Sequence, residues 1–230
     1  MQQYFIDTEL TLNQETALRD DILYHLKKVL RGTNETFRLC DLKGEIYLAS
    51  LKGDKALTVE YLDEHNELDV DVTAIISLIK SDKFELILQK LTELGVKRIV
   101  PYNAHRSIVK EKKSEKKLER YKKILTEASE QCHRNFIPEI VNAADFKDID
   151  RYMSELNLIA YEKETPGVKS DLKDKKNITF IIGPEGGFEL SEVESFEKMG
   201  FECCSLGKRI LRAETAAMFV MANITGVFDK

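Results

Sequence analysis

Apolar positions change their period near residue 70. Before it, TFRLCDLKGEIYLASLKGDKALTVEYL alternates apolar and polar residues, and DLKG and LKGD supply two turns, a hairpin pattern. One stretch between Leu18 and Leu30, LRDDILYHLKKVL, carries its apolar residues at helical spacing instead. Residues 1–70 therefore predict a small β-barrel with a helical insert.

From Asp71 onward strands alternate with helices. VDVTAIISLI reads as a buried strand, and SDKFELILQKLTELG as an amphipathic helix with Ser81 or Asp82 at its N-cap and Gly95 as its stop. VKRIVPYN is a second strand. SEKKLERYKKILTEASEQCHR is a long helix with an apolar stripe of Leu118, Tyr121, Leu125, Ala128 and Cys132. DFKDIDRYMSE predicts a short helix, and LNLIAYE and ITFIIG the third and fourth strands. The spacing Ser191-x-x-Glu194 predicts a capping box for a helix reaching Met199, and FECCSLG is a fifth strand. ETAAMFVMANITGVF is apolar nearly all round, hence a buried final helix. This alternation predicts an α/β domain over residues 71–230, a mostly parallel sheet covered on both faces. Residues 163–177 are a polar loop.

Composition narrows the class. The 230 residues, 43% hydrophobic and 33% charged, are enough for two domains of ordinary soluble balance. No apolar run approaches the roughly 18 residues that span a bilayer, and MQQYFIDTEL is too acidic for a signal peptide, which predicts a cytoplasmic protein without membrane contact. The four cysteines lack C-x-x-C spacing and read as reduced, buried thiols; Cys132-His133 has no further ligand cluster, so no metal is expected. Net charge is −5, yet Ala104 to Lys123 holds nine Lys or Arg against three Glu. Such a patch can bind phosphates in a salt-sensitive way, with Lys110, Lys112, Lys113, Lys116 and Lys117 as contacts, or it is a solvated helix face. Arg31, after HLKKVL, is a further candidate phosphate contact.

Candidate chemistry gathers where ligands bind in open α/β sheets, beyond the carboxyl ends of the strands. Three strand exits are unusual: Tyr161-Glu162, Gly183 to Phe188, and Gly207 to Thr215. GPEGG lacks the Lys-Ser/Thr of a phosphate loop and is not G-x-G-x-x-G. Its bare backbone and its glutamate suit close approach by a neutral or cationic ligand. Lys208, Arg209 and Arg212 stand among apolar residues ahead of the last helix, where an unpaired Arg is costly to bury.

IGPEGGF followed by LGKRILRAETA resembles the 16S ribosomal RNA uridine-N3 methyltransferases, members of the SPOUT superfamily. KFELILQKLTELGV, HRSIVK and EASEQCHRNFIPEI fit the family in order, over almost the whole chain; Ala213 stands where the family pattern carries Thr. The resemblance implies a C-terminal SPOUT domain tied in a deep trefoil knot, an N-terminal barrel similar to the PUA RNA-binding domain, and a homodimer. It implies S-adenosylmethionine as cofactor, held at matching positions by Tyr161 and Glu162, by Gly183, Pro184, Glu185 and Gly187, and by Leu206, Gly207, Ile210, Leu211, Arg212, Glu214 and Ala216. The implied substrate is 16S ribosomal RNA within the small subunit.

Methyl transfer from a sulfonium is an in-line displacement that needs alignment and charge placement rather than a covalent nucleophile. Uracil N3 must lose its hydrogen, so a base or a cation that steadies the uracil anion is required. Arg106, Arg134 and Arg212 are the candidates, with Arg106 also on the RNA side; Glu127, Gln131 and Arg134 fall at helical spacings on one face. The alternative is a non-catalytic knotted RNA-binding assembly factor for the ribosome, against which the intact glycine loop and RILRAETA argue.

Overall fold

The computed structural model describes residues 1–30, 36–110, 114–161 and 171–229. Two compact units divide the chain, Met1–Glu67 with Ser129–Phe136, and Leu68–Ala128 with Ile137–Lys230.

The first unit holds β1 (Gln3–Phe5), β2 (Glu15–Ala17), helix α1 (Asp20–Leu30), β3 (Phe37–Cys40), β4 (Ile46–Lys52) and β5 (Lys55–Leu62). Its sheet runs β1-β3-β4-β5-β2, with only the β1–β3 pair parallel, so β1 and β2 are its two edges. Both hairpin turns anticipated from DLKG and LKGD form. At the first, the Asp41 carboxylate accepts the N–H groups of Lys43 at 2.8 Å and Glu45 at 3.0 Å, and Gly44 takes φ +80°. Helix α1 lays Ile22 and Leu26 on Tyr4, Phe37 and Leu39, with Asp20 and Asp21 in its first turn and Lys27 and Lys28 in its last to complement the dipole.

Residues 129–136 join this unit through long-range polar bonds. Arg134 is 4% exposed and pairs with Glu67, whose Oε1 also accepts the N–H of Asn135 at 3.0 Å and of Phe136 at 3.2 Å. Gln3 Nε2 donates to the Arg134 carbonyl at 2.8 Å, and the Asn135 amide donates to Gly44 O and Glu64 O. The Phe136 ring occupies the space a Cβ on Gly44 would need, 2.6 Å from Cζ.

The second unit holds β6 (Asp71–Ser77), α2 (Ser81–Glu93), β7 (Arg98–Tyr102), most of α3 (Glu115–Gln131), β8 (Glu139–Ile140), a 3₁₀ turn (Phe146–Tyr152), β9 (Leu156–Ala160), β10 (Asn177–Ile182), α4 (Leu190–Met199), β11 (Glu202–Cys204) and α5 (Ala213–Phe228). Its sheet order is β11-β9-β10-β6-β7-β8 and every pairing is parallel. Alternate strand residues serve different cores, which is why the strands read as unbroken apolar runs. Phe180 and Ile182 of β10 pack with Phe84, Leu91 and Met221 on one face; Ile181 packs with Val100 and Phe196 on the other. Phe196 centres an aromatic group, with Tyr102, Phe146, Phe188 and Phe201 rings at 5.1 to 5.9 Å.

Four local expectations change. The α2 N-cap is Lys80, without a side-chain cap, because the Ser81 hydroxyl donates to Glu85 at 3.1 Å. The α4 capping box is Glu189 with Glu192, two residues earlier than Ser191-x-x-Glu194. Helix α3 ends at Gln131 and His133 turns left-handed at φ +59°, so Arg134 does not continue the face of Glu127 and Gln131. Helix α5 is not buried all round: Ala216, Ala217, Val220 and Met221 face the core, while Phe219 is 45% exposed. Strand β8 was not anticipated; two residues are too short to carry a period.

All four cysteines are free thiols, and only Cys132 is not fully buried. Among the described residues no group of three or more His, Cys, Asp or Glu could hold a metal, and no helix is long and apolar enough to cross a membrane.

Candidate active site

Parallel strands send their exits to one edge of the sheet. Because β9 lies between β11 and β10, the three exit loops singled out above are neighbours. The loop after β10 is shaped by its glycines for separate reasons. A Cβ on Gly183 would stand 3.1 Å from the Phe188 ring, and Gly187 takes φ +67°. The Gly187 N–H donates to Pro184 O at 2.9 Å, closing the turn and leaving the loop's face nearly bare of side chains.

The loop after β11 passes through Gly207 at φ +113° and ends at Arg212, the N-cap of α5. Ala216 N–H donates to Arg212 O at 2.8 Å and starts the helix. Glu214 sits in the first turn, with Lys83 Nζ at 3.8 Å from Oε1 and with Oε2 buried without a hydrogen-bond partner.

These loops enclose a cavity of about 570 Å³, inside the ~300–1,000 Å³ range of small-molecule sites. Gly183, Pro184, Glu185 and Gly187 line one wall, and Ile210, Leu211, Arg212 and Ala216 the other. A smaller recess of about 80 Å³ shares Ala160, Ile210, Leu211 and Ala216 with it and adds Tyr161, Leu206 and Gly207. Every cofactor residue expected from the sequence borders one of these spaces except two. Glu162 lies outside the described residues. Glu214 lines neither, and reaches the larger one through its partner Lys83.

Arg106 reaches the glycine loop from the exit of β7, two strands from β10 at the same edge of the sheet. Its Nη1 donates to Gly186 O at 3.4 Å, and its Nε is 3.5 Å from Glu189 Oε1. His105 Nδ1 lies 2.9 Å from the same Glu189 oxygen. Glu192 Oε1 accepts the His105 N–H at 2.8 Å and the Tyr102 hydroxyl at 3.2 Å. Burial, reinforced by the Glu192 carboxylate, pushes the Tyr102 hydroxyl well above the usual tyrosine range, so it stays a donor.

Arg134 lies in the first unit, where its guanidinium pairs with Glu67. Arg212 does border the cavity.

The expected RNA contacts divide as well. Lys110 is exposed, and its Nζ donates to the carbonyls of Asn103, Ala104 and His105, which ties the ammonium to its own loop. Lys116 and Lys117 are exposed at the start of α3. One turn on, Arg120 makes a two-pronged pair with Glu85 at 2.7 and 2.8 Å, and that bond holds the Glu85 carboxyl below the usual range. Arg31, Lys112 and Lys113 lie outside the described residues.

Sequence reasoning missed Lys83, Gly186, Glu189 and Glu192. The Glu189-x-x-Glu192 spacing is a usable signal, although Glu is an uncommon N-cap. It also missed a cleft of about 1040 Å³ bordered by Asn142, Lys147, Arg151 and Tyr152, which no motif marks.

The RNA methyltransferase domain family matches residues 66–225. Over 229 residues the chain is 36% identical to ribosomal RNA small subunit methyltransferase E of Mesomycoplasma hyopneumoniae (strain 232), spanning 96% of this chain and 94% of that one. The protein of the same name from Bacillus subtilis (strain 168) is 32% identical over 246 residues, 98% of this chain and 96% of that one. The crystal structure of a ribosomal RNA small subunit methyltransferase E from Neisseria gonorrhoeae bound to S-adenosyl methionine is similar with a TM-score of 0.89 and 31% identity, over 99% of this chain and 98% of that chain.

Proposed function

The chain belongs to the ribosomal RNA small subunit methyltransferase E family, and from that premise we propose that it transfers a methyl group from S-adenosylmethionine to N3 of a uridine in 16S ribosomal RNA. The observation that carries the reading is the cavity between the glycine loop and the Leu206–Ala216 loop, with Arg106 held at its glycine side. The residues present fit the cofactor: a cavity of suitable size, a backbone freed by glycine, and a buried carboxylate oxygen on Glu214 that lacks a partner.

When bound, S-adenosylmethionine supplies a methyl group on a positively charged sulfur. Around it, Gly183, Pro184 and Gly187 offer main-chain groups, while Leu206, Ile210, Leu211 and Ala216 supply apolar walls. Tyr161 and Gly207 border the recess beside them, with Glu162 next in the chain. Glu185 and Glu214 place negative charge near a cation. Arg106, bonded to the glycine loop, and Arg212, on the cavity wall, steady the uracil anion as N3 gives its proton to solvent water, which leaves a lone pair on N3 to accept the methyl group. The target uridine is unpaired or flipped, because a paired N3 is occupied by its partner.

The same reading takes the second unit as a knotted SPOUT domain and the first as a PUA-like RNA-binding unit. It makes the protein a homodimer in the cytoplasm, acting on the assembled small subunit; the exposed Phe219 on α5 supports a second copy. Incubation with labelled cofactor and small subunits that lack the modification, followed by mass spectrometry of the nucleosides, should yield 3-methyluridine in 16S RNA. Label on carbon 5, on a ribose, or nowhere overturns the assignment.

A further inference from the structure

We propose that Glu192 is a positioning residue for methyl transfer: its carboxylate latches the loop after β7 to the first turn of α4 and so holds Arg106 against the glycine loop. The role in transfer rests on the function proposed above; the latch itself is a matter of geometry.

A capping residue needs one oxygen. Glu192 Oε2 does that work, accepting the Glu189 N–H at 3.2 Å. The other oxygen reaches a different element, taking the His105 N–H at 2.8 Å and the Tyr102 hydroxyl at 3.2 Å, both about ninety positions away in the chain. One carboxylate therefore satisfies a helix end, a strand end and the first residues of the loop beyond it.

Glu189 adds a second grip. Its Oε1 lies 2.9 Å from His105 Nδ1 and 3.5 Å from Arg106 Nε. Two carboxylates three residues apart thus hold two consecutive residues, and the Arg106 guanidinium reaches the Gly186 carbonyl at 3.4 Å. Exposed contacts like those of Arg106 are weak one by one. The buried end is firm: Tyr102 is 1% exposed and its ring packs on Phe196 of α4 at 5.9 Å. Placement of Arg106 is inherited from that packing through Glu192, which is how a side chain on a loop acquires the precision that methyl transfer requires.

The test uses Glu192→Gln and Tyr102→Phe, each alone and combined with Arg106→Ala. Readouts are the single-turnover methyl-transfer rate on small subunits, S-adenosylmethionine affinity by calorimetry, and hydrogen exchange at the His105 amide. Glu192→Gln should slow transfer by roughly 10- to 100-fold, the cost of a misplaced group, with cofactor affinity unchanged and faster exchange at His105. With Arg106 already removed, the same substitution should cost almost nothing, since the two act as a unit. Tyr102→Phe keeps the buried ring and should act in the same direction more weakly.

Equal rate losses in both backgrounds, or a loss of affinity matching the loss of rate, overturn the positioning role in favour of plain helix capping. Should Glu192→Gln fail to fold, unchanged His105 exchange and rate in Tyr102→Phe overturn the latch. Failure of the functional reading is distinct, because the unaltered protein would then transfer no methyl group in the same assay.

Discussion

Arg106 keeps an exposed guanidinium with two loose anchors, Gly186 O and Glu189 Oε1, and so has donors left for a substrate. Arg134 is the opposite case, buried and doubly bonded to Glu67. Truncating each should therefore fail differently. Arg106→Ala is expected to abolish most methyl transfer while calorimetric cofactor affinity and unfolding midpoint stay near their original values. Arg134→Ala is expected to cost on the order of 3 kcal/mol in denaturant unfolding, because it strands the Glu67 carboxylate that serves two further backbone N–H groups. A parallel loss of cofactor affinity in Arg106→Ala would move that residue from the RNA side to the cofactor side. The sequence could not tell the two arginines apart. Both stand in polar surroundings, and what separates them is a partner 67 positions away for Arg134 and 80 for the contact of Arg106 with Gly186. The glycine loop was legible because its message is local: glycine serves a left-handed turn at 187 and a close approach at 183 whatever lies elsewhere.

Elements with a strong period came through, and those decided by competition at their ends did not. Helix α2 was plain from its apolar stripe, yet its cap was not, since Ser81 spends its hydroxyl on Glu85. Helix α5 is apolar in composition on faces that the fold leaves partly open, so composition alone overstated its burial. Helix α3 carries the charge argument. Of its cations, Arg120 pairs with Glu85 and Lys123 with Glu127, and Lys116 and Lys117 stand at the solvent-exposed first turn. Lys110, just upstream, spends its donors on three carbonyls. Charge reversal of Lys116 and Lys117 together should thus flatten the logarithmic salt dependence of RNA binding by about two, one unit per lost phosphate contact. Lys110→Met should leave that slope alone and loosen its own loop instead. Binding isotherms across a salt series decide it; an unchanged slope for the double reversal makes these lysines a solvated face.

At the scale of the whole molecule the alternation of strands and helices gave the parallel sheet, and with it the edge where ligands bind, but nothing periodic marks residues 129–136 as part of the first unit. Their membership is written in long-range bonds, the Glu67 carboxylate and the Cys40 thiol to the Asn135 carbonyl at 3.2 Å. That thiol links stability to alkaline pH. Burial first, then the Asp41 and Glu67 charges, push Cys40 up to about 12, while burial and Glu202 push Cys204 in the second unit to about 11, both from an ordinary value of 9.0. Their folded values are raised, so their contribution is fully present below pH 9. Above it the unfolded chain gives up these protons first, binds fewer than the native state, and is favoured. Stability should therefore fall from about pH 9 and continue to fall until each thiol ionises in the folded state. Cys204 alone accounts for roughly 2 to 3 kcal/mol across its window, at about 1.4 kcal/mol per unit. Urea unfolding between pH 8 and 11 tests this. Cys204→Ala and Cys40→Ala each lower stability at neutral pH by removing packing, but each should flatten the decline above pH 9, and the slope rather than the level is the readout. A variant that declines as steeply as the parent would show that its thiol ionises in the native unit as readily as in the open chain.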